Sequence, residues 1–395
     1  MSLYTHTLTF AAASAEETVA RLAAITAFCS GWEIRSRPAP GRRLELLVRF
    51  QSEDKRHAFQ GAGSELAQLA TLDYPGATEA KQLGEDKLHE RTETVLTLIG
   101  PPDYSFGEIL EFELPSRRQT LSQPLLESLC GIRHLPAGQS SHSALELYFD
   151  GRSSAQALRS VVPDILERWP IDAVAFPSSS KRPRRRLLVF DMDSTLIECE
   201  VIDELAKLAG AGEAVAAITA RAMRGELDFQ SSFRERMRQL RGLSDSALQE
   251  VAERLPVMPG AESLFRQLRA LGHHTAILSG GFGFFASYLQ GKLGISEVHA
   301  NHLDIQGGVL SGEVVGTIVD GEQKLRLLRE IAEREEFDLA DTVAVGDGAN
   351  DLPMISAAGL GVAFHAKPIV QERSPAFVNR AGLDALIAVL GVSSG

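Results

Sequence analysis

The stretch VFDMDSTLIECEVID (189–203) places two aspartates, Asp191 and Asp193, directly behind a short apolar run. Carboxylates at the end of a buried strand are costly unless a counter-charge or hydrogen bonds receive them. A spacing of two also puts both side chains on one face of an extended chain. The stretch asks for a cation, a phosphate, or both.

Outward from it, LLVF (187–190), HTAILSG (274–280) and TVAVGD (342–347) are apolar, β-branched runs bounded by turns and separated by helical patterning. Such runs predict parallel strands buried on both faces, in a doubly wound α/β sheet. Helical periods near 202–209, 213–224, 229–241 and 245–254 predict a helical insert over about 200–257. Ligands of doubly wound sheets sit beyond the carboxyl ends of the strands. Asp191, Ser279 and Asp347 stand at those ends, so the three are expected to converge.

Phosphoryl transfer needs a nucleophile, a cation, donors for the phosphate oxygens and a proton shuttle. Asp191 is a candidate nucleophile, because carboxylates form acyl-phosphate intermediates. Asp193 is placed to protonate a leaving oxygen and then activate water. Ser194 and Thr195 add hydroxyls and turn-forming amides. LSGGFG (278–283) offers Ser279 and backbone amides at a helix start. Lys324 supplies positive charge, and GDGANDLPM (346–354) supplies Asp347 and Asp351 on a glycine-rich turn suited to Mg²⁺. Each feature alone has a plain reading: a helix cap, a turn former, a solvated lysine. Their order along the chain is what joins them.

DMDST, LSGGF, Lys324 and GDGANDLPM resemble the four motifs of the haloacid dehalogenase superfamily. ECEVIDELA, MRGELDFQSSFRERM and GVAFHAKP are similar to its phosphoserine phosphatase branch, and the match covers essentially all of 187–390. The resemblance implies hydrolysis of O-phospho-L-serine to L-serine, the last step of serine biosynthesis, through a phosphorylated Asp191. It implies Asp193 as general acid and base. Mg²⁺ would be held by the Asp191 carboxylate, the Asp193 backbone carbonyl and Asp347, with Asp351 in support. Ser279, Gly280 and Lys324 would hold phosphate and Asn350 would orient the site. Glu200 would take the substrate ammonium and Arg236 its carboxylate, while Met223 and Phe229 would line a helical lid. A zwitterion needs one fixed anion and one forked cation, which agrees with that pair.

The first half reads as two passes of βαββαβ, over 1–90 and 91–177. In the first, strands are expected at 7–12, 32–37, 43–50 and 78–83, with helices at 15–28 and 63–72. In the second they are expected at 94–100, 132–138, 143–151 and 171–177, with helices at 121–129 and 154–169. The piece at 106–116 fits neither pass. This order is similar to that of ACT domains, which often bind amino acids at dimer interfaces, so a homodimer is expected. FAAASAEE (10–17) lacks the glycine usual after the first strand of such a domain, while LIGPPDYS (98–105) retains Gly100. PSSSKRPRRR (177–186) leads as a linker into the phosphatase-like segment, 187–395.

A net charge of −12 argues against a nucleic-acid binder held by phosphate contacts. Three distant cysteines, Cys29, Cys130 and Cys199, form neither a disulfide framework nor a zinc motif. The opening residues lack a signal-peptide pattern, and no run reaches the ~18 apolar residues of a membrane span, so a cytoplasmic setting is expected. GFGFFA (281–286) fits G-x-G-x-x-A, but it is not in the first βαβ of its domain. His273–His274 and the pair His299 and His302 lack a third ligand at metal-site spacing. Two alternatives stay open: a phosphotransferase using another acceptor alcohol, and a non-enzymatic amino-acid-binding protein.

Overall fold

The computed structural model describes residues 4–11, 33–39, 43–50, 92–102, 104, 106, 129–135, 141–151, 153–177 and 187–390. The chain divides into two compact units, Met1–Pro183 with Ala385–Gly395, and Arg184–Asp384.

The first unit contains a seven-stranded antiparallel sheet. Its strands are β1 (Tyr4–Ala11), β2 (Glu33–Ala39), β3 (Arg43–Phe50), β4 (Thr92–Gly100), β5 (Leu129–Leu135), β6 (Ser143–Asp150) and β7 (Asp172–Pro177). The order β1-β3-β2-β5-β6-β4-β7 juxtaposes two similar arrangements, joined edge to edge where Arg35 of β2 pairs with Arg133 of β5. Two short helices, α1 (Ala155–Arg159) and α2 (Val162–Arg168), stand where one was expected. Pro163 explains the break, since it has no N–H and its ring would clash with the carbonyl four residues earlier. Leu158, Val162 and Ile165 are buried from these helices. The expected helices at 15–28 and 63–72, that at 121–129 apart from Leu129, the strand at 78–83, the segment 106–116 apart from Phe106, and the linker at 178–186 lie outside the described residues.

In the second unit β8 (Leu187–Phe190) leads into a helical insert: α3 (Val201–Leu208), α4 (Gly212–Met223), α5 (Phe229–Arg238) and α6 (Ser246–Glu253). These four helices match the expected ones within a few residues. Then follow α7 (Ala261–Ala270), β9 (His274–Phe282), α8 (Gly283–Leu293), the antiparallel hairpin β10 (Glu297–Gln306) and β11 (Val309–Val315), and α9 (Gly321–Arg334). The unit closes with β12 (Thr342–Gly346), α10 (Leu352–Ala357), β13 (Leu360–Phe364), α11 (Pro368–Arg373) and β14 (Ala376–Val378).

The sheet order is β11-β10-β9-β8-β12-β13-β14, parallel except at the hairpin. Strands β8 and β12 are buried along their whole length, as runs without alternation require. The chain leaves β8 for β9 on one side and later returns to β12 on the other, so the crevice of this sheet opens at the end of β8. Helix α9 buries Lys324, Leu327, Leu328, Ile331 and Ala332. That is the i, i+3, i+4, i+7, i+8 stripe of an amphipathic helix, with a lysine on the apolar face. Its apolar members pack with Leu187, Val189, Ala344 and Ile355.

Candidate active site

Backbone geometry fixes Asp191 first. Its amide donates to Val345 O at 2.9 Å, which ties the end of β8 to β12, and its Oδ1 accepts from the Met192 amide at 2.8 Å. Asp193 is tied to the insert. Its Oδ1 accepts from the Val201 amide at 2.9 Å, serving the first turn of α3 in place of Glu200, which makes no side-chain cap bond. Between Asp193 and Glu200, Ser194 has a positive φ of 57°, a strained backbone for a non-glycine residue. Its hydroxyl donates to Glu200 Oε1 at 3.3 Å.

The second wall is β9. Ser279 Oγ accepts from the Gly281 amide at 2.8 Å. A Cβ at Gly281 would lie 2.4 Å from Asp193 Oδ2, and one at Gly280 would lie 2.9 Å from Phe229 Cζ. Gly281 therefore makes room for a carboxylate rather than a pyrophosphate, which removes the dinucleotide reading of GFGFFA. Asn301 of β10, only 1% exposed, donates from Nδ2 to Gly280 O and accepts from the Val319 amide on Oδ1, both at 2.8 Å.

The floor is α9. Lys324 Nζ lies 2.7 Å from Asp191 Oδ1 and 2.6 Å from Asp351 Oδ1, with the lysine and Asp351 side chains wholly buried. The second Asp351 oxygen accepts from the Gly348 amide at 2.9 Å, and a Cβ at Gly346 would lie 2.4 Å from the Asp351 carboxyl carbon. Thr195 Oγ1 donates to Asp347 Oδ1 at 3.4 Å. The N-cap of α9, Asp320, uses its oxygens separately: Oδ1 accepts from the Gln323 amide, and Oδ2 from Gln230 Nε2 of the insert at 2.8 Å.

The electrostatics follow from acids collected at low solvent exposure. Burial pushes Asp193 up to about 8, with Glu200 adding to it. Burial and then Asp351 push Asp347 up to about 7, and the same two causes, in the same order, raise Asp191. Burial works against a charged Lys324, but Asp191 and Asp351 outweigh it and hold the ammonium protonated. One lysine does not balance these carboxylates. Asp191, Asp347 and Asp351 each bring an oxygen within 4.8 Å of the others, which is a donor set for a hard divalent cation.

A cavity of about 110 Å³ opens over this floor. Asp191, Asp193, Glu200, Phe229, Arg236 and Gly280 line it, as do Asp347, Asn350 and Lys367. Arg236 Nε is buried without a hydrogen-bond partner among the described residues. Burial lowers the Arg236 pKa, with Glu200 and Asp203 opposing. Of the residues expected at the site, Asp191, Asp193, Glu200, Phe229, Arg236, Gly280, Asp347 and Asn350 line the cavity; Ser279, Lys324 and Asp351 lie behind it, bonded to Gly281, Asp191 and Lys324, whereas Met223, which ends α4, is 70% exposed and outside the lining. It sits at the end of a helix that buries only Val215 and Ile218.

A family model for haloacid dehalogenase-like hydrolases matches residues 188–356. The phosphoserine phosphatase of Haemophilus influenzae is 48% identical over 223 residues, 56% of this chain and 71% of its own length. That of Archaeoglobus fulgidus is 42% identical over 240 residues, covering 61% and 70%. This chain belongs to the phosphoserine phosphatase family. Among solved structures, a probable phosphoserine phosphatase from Vibrio cholerae, in unliganded form, is similar over 81% of this chain and 91% of its own, with TM-score 0.59 and 32% identity. A phospho-aspartyl intermediate analogue of phosphoserine phosphatase matches 52% of this chain and 99% of its own, with TM-score 0.50 and 38% identity.

Two residues at the site of this family member escaped sequence reasoning. Asn301, in HANHLD (299–304), carries no motif, and its role arises only from pairing β10 with β9. Lys367 was visible within GVAFHAKP but without a chemical reason to single it out. In the fold its charge draws down the raised pKa of Asp347.

Proposed function

We propose that the cavity over Asp191 performs the hydrolysis of O-phospho-L-serine to L-serine and phosphate. Asp191 attacks phosphorus along the open side of the cavity, while Asp193 donates its proton to the departing serine oxygen. An Asp193 carboxyl near 8 is protonated at neutral pH, as that step requires. Once ionised, the same group takes a proton from the water that releases phosphate from Asp191. Ser279, the Gly280 region and Lys324 receive the phosphate oxygens, and Asn350 orients the turn that carries Asp347.

The observation that carries the substrate assignment is Arg236. A half-buried arginine whose buried Nε has no hydrogen-bond partner among the described residues lines the same cavity as the nucleophile, with Glu200 also on the lining. Such a cation calls for a carboxylate, and Glu200 for an ammonium. Phe229 covers the glycine at the phosphate end. The insert then excludes water during the first transfer.

Mg²⁺ is the cation proposed for Asp191, Asp347 and the Asp193 carbonyl, with Asp351 in support. The donor set is all oxygen and short of positive charge, which fits a hard dication. Bound there, the ion would offset the repulsion between phosphate and carboxylate.

The wider reading also includes two ACT-like halves, 1–90 and 91–177, ahead of a linker at 178–186 and a phosphatase segment over 187–395. The strand orders β1-β3-β2 and β5-β6-β4-β7 support two related halves. A homodimer and a role in serine biosynthesis rest on the family resemblance. A cytoplasmic setting rests on cysteine usage and on the lack, among the described residues, of any helix long and apolar enough to cross a membrane.

The test is phosphate release from a panel of phosphorylated amino acids and sugars, with and without EDTA. Phosphoserine should be preferred, and activity should vanish with chelation. Arg236→Ala should impair phosphoserine hydrolysis far more than p-nitrophenyl phosphate hydrolysis; equal losses contradict the substrate. Phosphate appearing on an added alcohol rather than in solution would establish phosphotransfer instead.

A further inference from the structure

The histidine pairs that are neighbours in the sequence are re-sorted by the fold. His274 opens β9 and Glu297 opens β10, the adjacent parallel strand. His274 Nε2 lies 2.6 Å from Glu297 Oε1, and His299 Nε2 lies 2.8 Å from Glu297 Oε2. Glu335, immediately after α9, brings a carboxylate oxygen within 4.8 Å of both the His274 nitrogen and a Glu297 oxygen. All three residues are half-buried. They stand at the amino-terminal edge of the strands, the opposite edge from Asp191, Ser279 and Asp347.

The present occupant of this cluster is a cation. Arg334 Nη2 lies 2.5 Å from Glu297 Oε1, and its Nε lies 3.0 Å from Glu335 Oε1. The cluster is thus a standing site for positive charge, filled by the most exposed member, an arginine with half its side chain in solvent.

We propose that His274, Glu297 and Glu335 form a second cation site, for a zinc-class divalent ion, for which Arg334 is the competing occupant. One imidazole and two carboxylates are a zinc-type ligand set, whereas Mg²⁺ favours oxygen alone. Three protein ligands leave a fourth position for water. Bonds of 2.0–2.1 Å around a tetrahedral ion set ligand atoms about 3.3 Å apart. The His274–Glu297 contact must therefore open by roughly 0.7 Å from hydrogen-bond length, which side-chain rotation at a half-buried site allows. His299 stays outside the ion and fixes the plane of the Glu297 carboxylate through its other oxygen, as outer hydrogen bonds do at metal sites. The ion would clip β9, β10 and the end of α9 together, and α9 is the helix that delivers Lys324.

The full chain, stripped with EDTA and then saturated with Mg²⁺, is titrated calorimetrically with Zn²⁺, and its melting temperature is followed. One Zn²⁺ per chain should bind in a step that Mg²⁺ does not suppress, with a rise in melting temperature. His274→Ala should weaken that step at least about tenfold and retain phosphatase activity, which marks the variant as folded. Arg334→Ala should tighten it, because the competing guanidinium is gone. Absence of any His274-dependent step, or unchanged affinity in Arg334→Ala, overturns the proposal.

Discussion

Lys324 reaches Asp191 at 2.7 Å from the apolar stripe of its helix, with no part of its side chain in solvent. An ammonium so placed is tolerable only because Asp351 meets it as well, at 2.6 Å. The three groups form a unit in which each makes the burial of the others possible. Lys324→Met, a swap close in volume, should therefore do two kinds of damage. It leaves two carboxylates buried and unpaired, for a loss of about 3–5 kcal/mol in unfolding free energy. It also removes charge from the phosphate site, for a fall of about 10²-fold or more in kcat. Denaturant midpoints and initial rates measure the two separately. A variant of normal stability would show that the lysine is not the counter-ion described.

The acidic floor makes a prediction about pH. Asp193 stands near 8, Asp347 near 7 and Asp191 above its ordinary value, all raised first by burial. Between about pH 4 and pH 8 the folded state of the metal-free protein then binds more protons than the unfolded state, so stability falls as pH rises through that window. In EDTA the melting temperature should drop between about pH 6 and about pH 8, and saturating Mg²⁺ should shrink the drop because the ion takes the place of the protons. An identical slope with and without Mg²⁺ would contradict this account of the cluster.

Gly281 has no room for a methyl group, because a Cβ would meet Asp193 Oδ2 at 2.4 Å and Met192 Cε at 2.7 Å. Gly281→Ala should displace the Asp193 carboxyl and cost roughly 10²-fold in kcat, the scale of a 1 Å misplacement. The melting temperature should change little, since the clash is with side-chain ends. Full activity in this variant would mean that Asp193 need not sit where the structure holds it.

Asn301 acts through others. Its amide holds Gly280 O and the Val319 amide, joining the strand of Ser279 to the segment before α9. Asn301→Leu leaves both backbone groups unpaired, a cost of about 1–3 kcal/mol for each. The site should lose affinity for inorganic phosphate as an inhibitor. Unaltered phosphate inhibition in the leucine variant would assign Asn301 to stability alone.

Much of the site was legible because its residues lie at strand ends. Asp191, Ser279 and Asp347 each follow a run whose apolar continuity marks a buried parallel strand, and the sheet then brings them together. Lys324 was readable as a charge and not as a buried one, since only the packing of α9 shows that its face turns inward. Asn301, and the pairing of His274 with Glu297, depend on which strand lies beside which, and no local period encodes that. The single helix expected over 154–169 failed on Pro163, whose ring blocks the preceding turn.

The divided carboxylate of Asp320 has a consequence for how the site opens. One oxygen belongs to the first turn of the lysine helix, and the other to Gln230 on the insert. Releasing Gln230 to water costs on the order of 1 kcal/mol and leaves the helix cap whole. Breaking that one bond therefore leaves the helix that carries Lys324, and its contact with Asp191, in register.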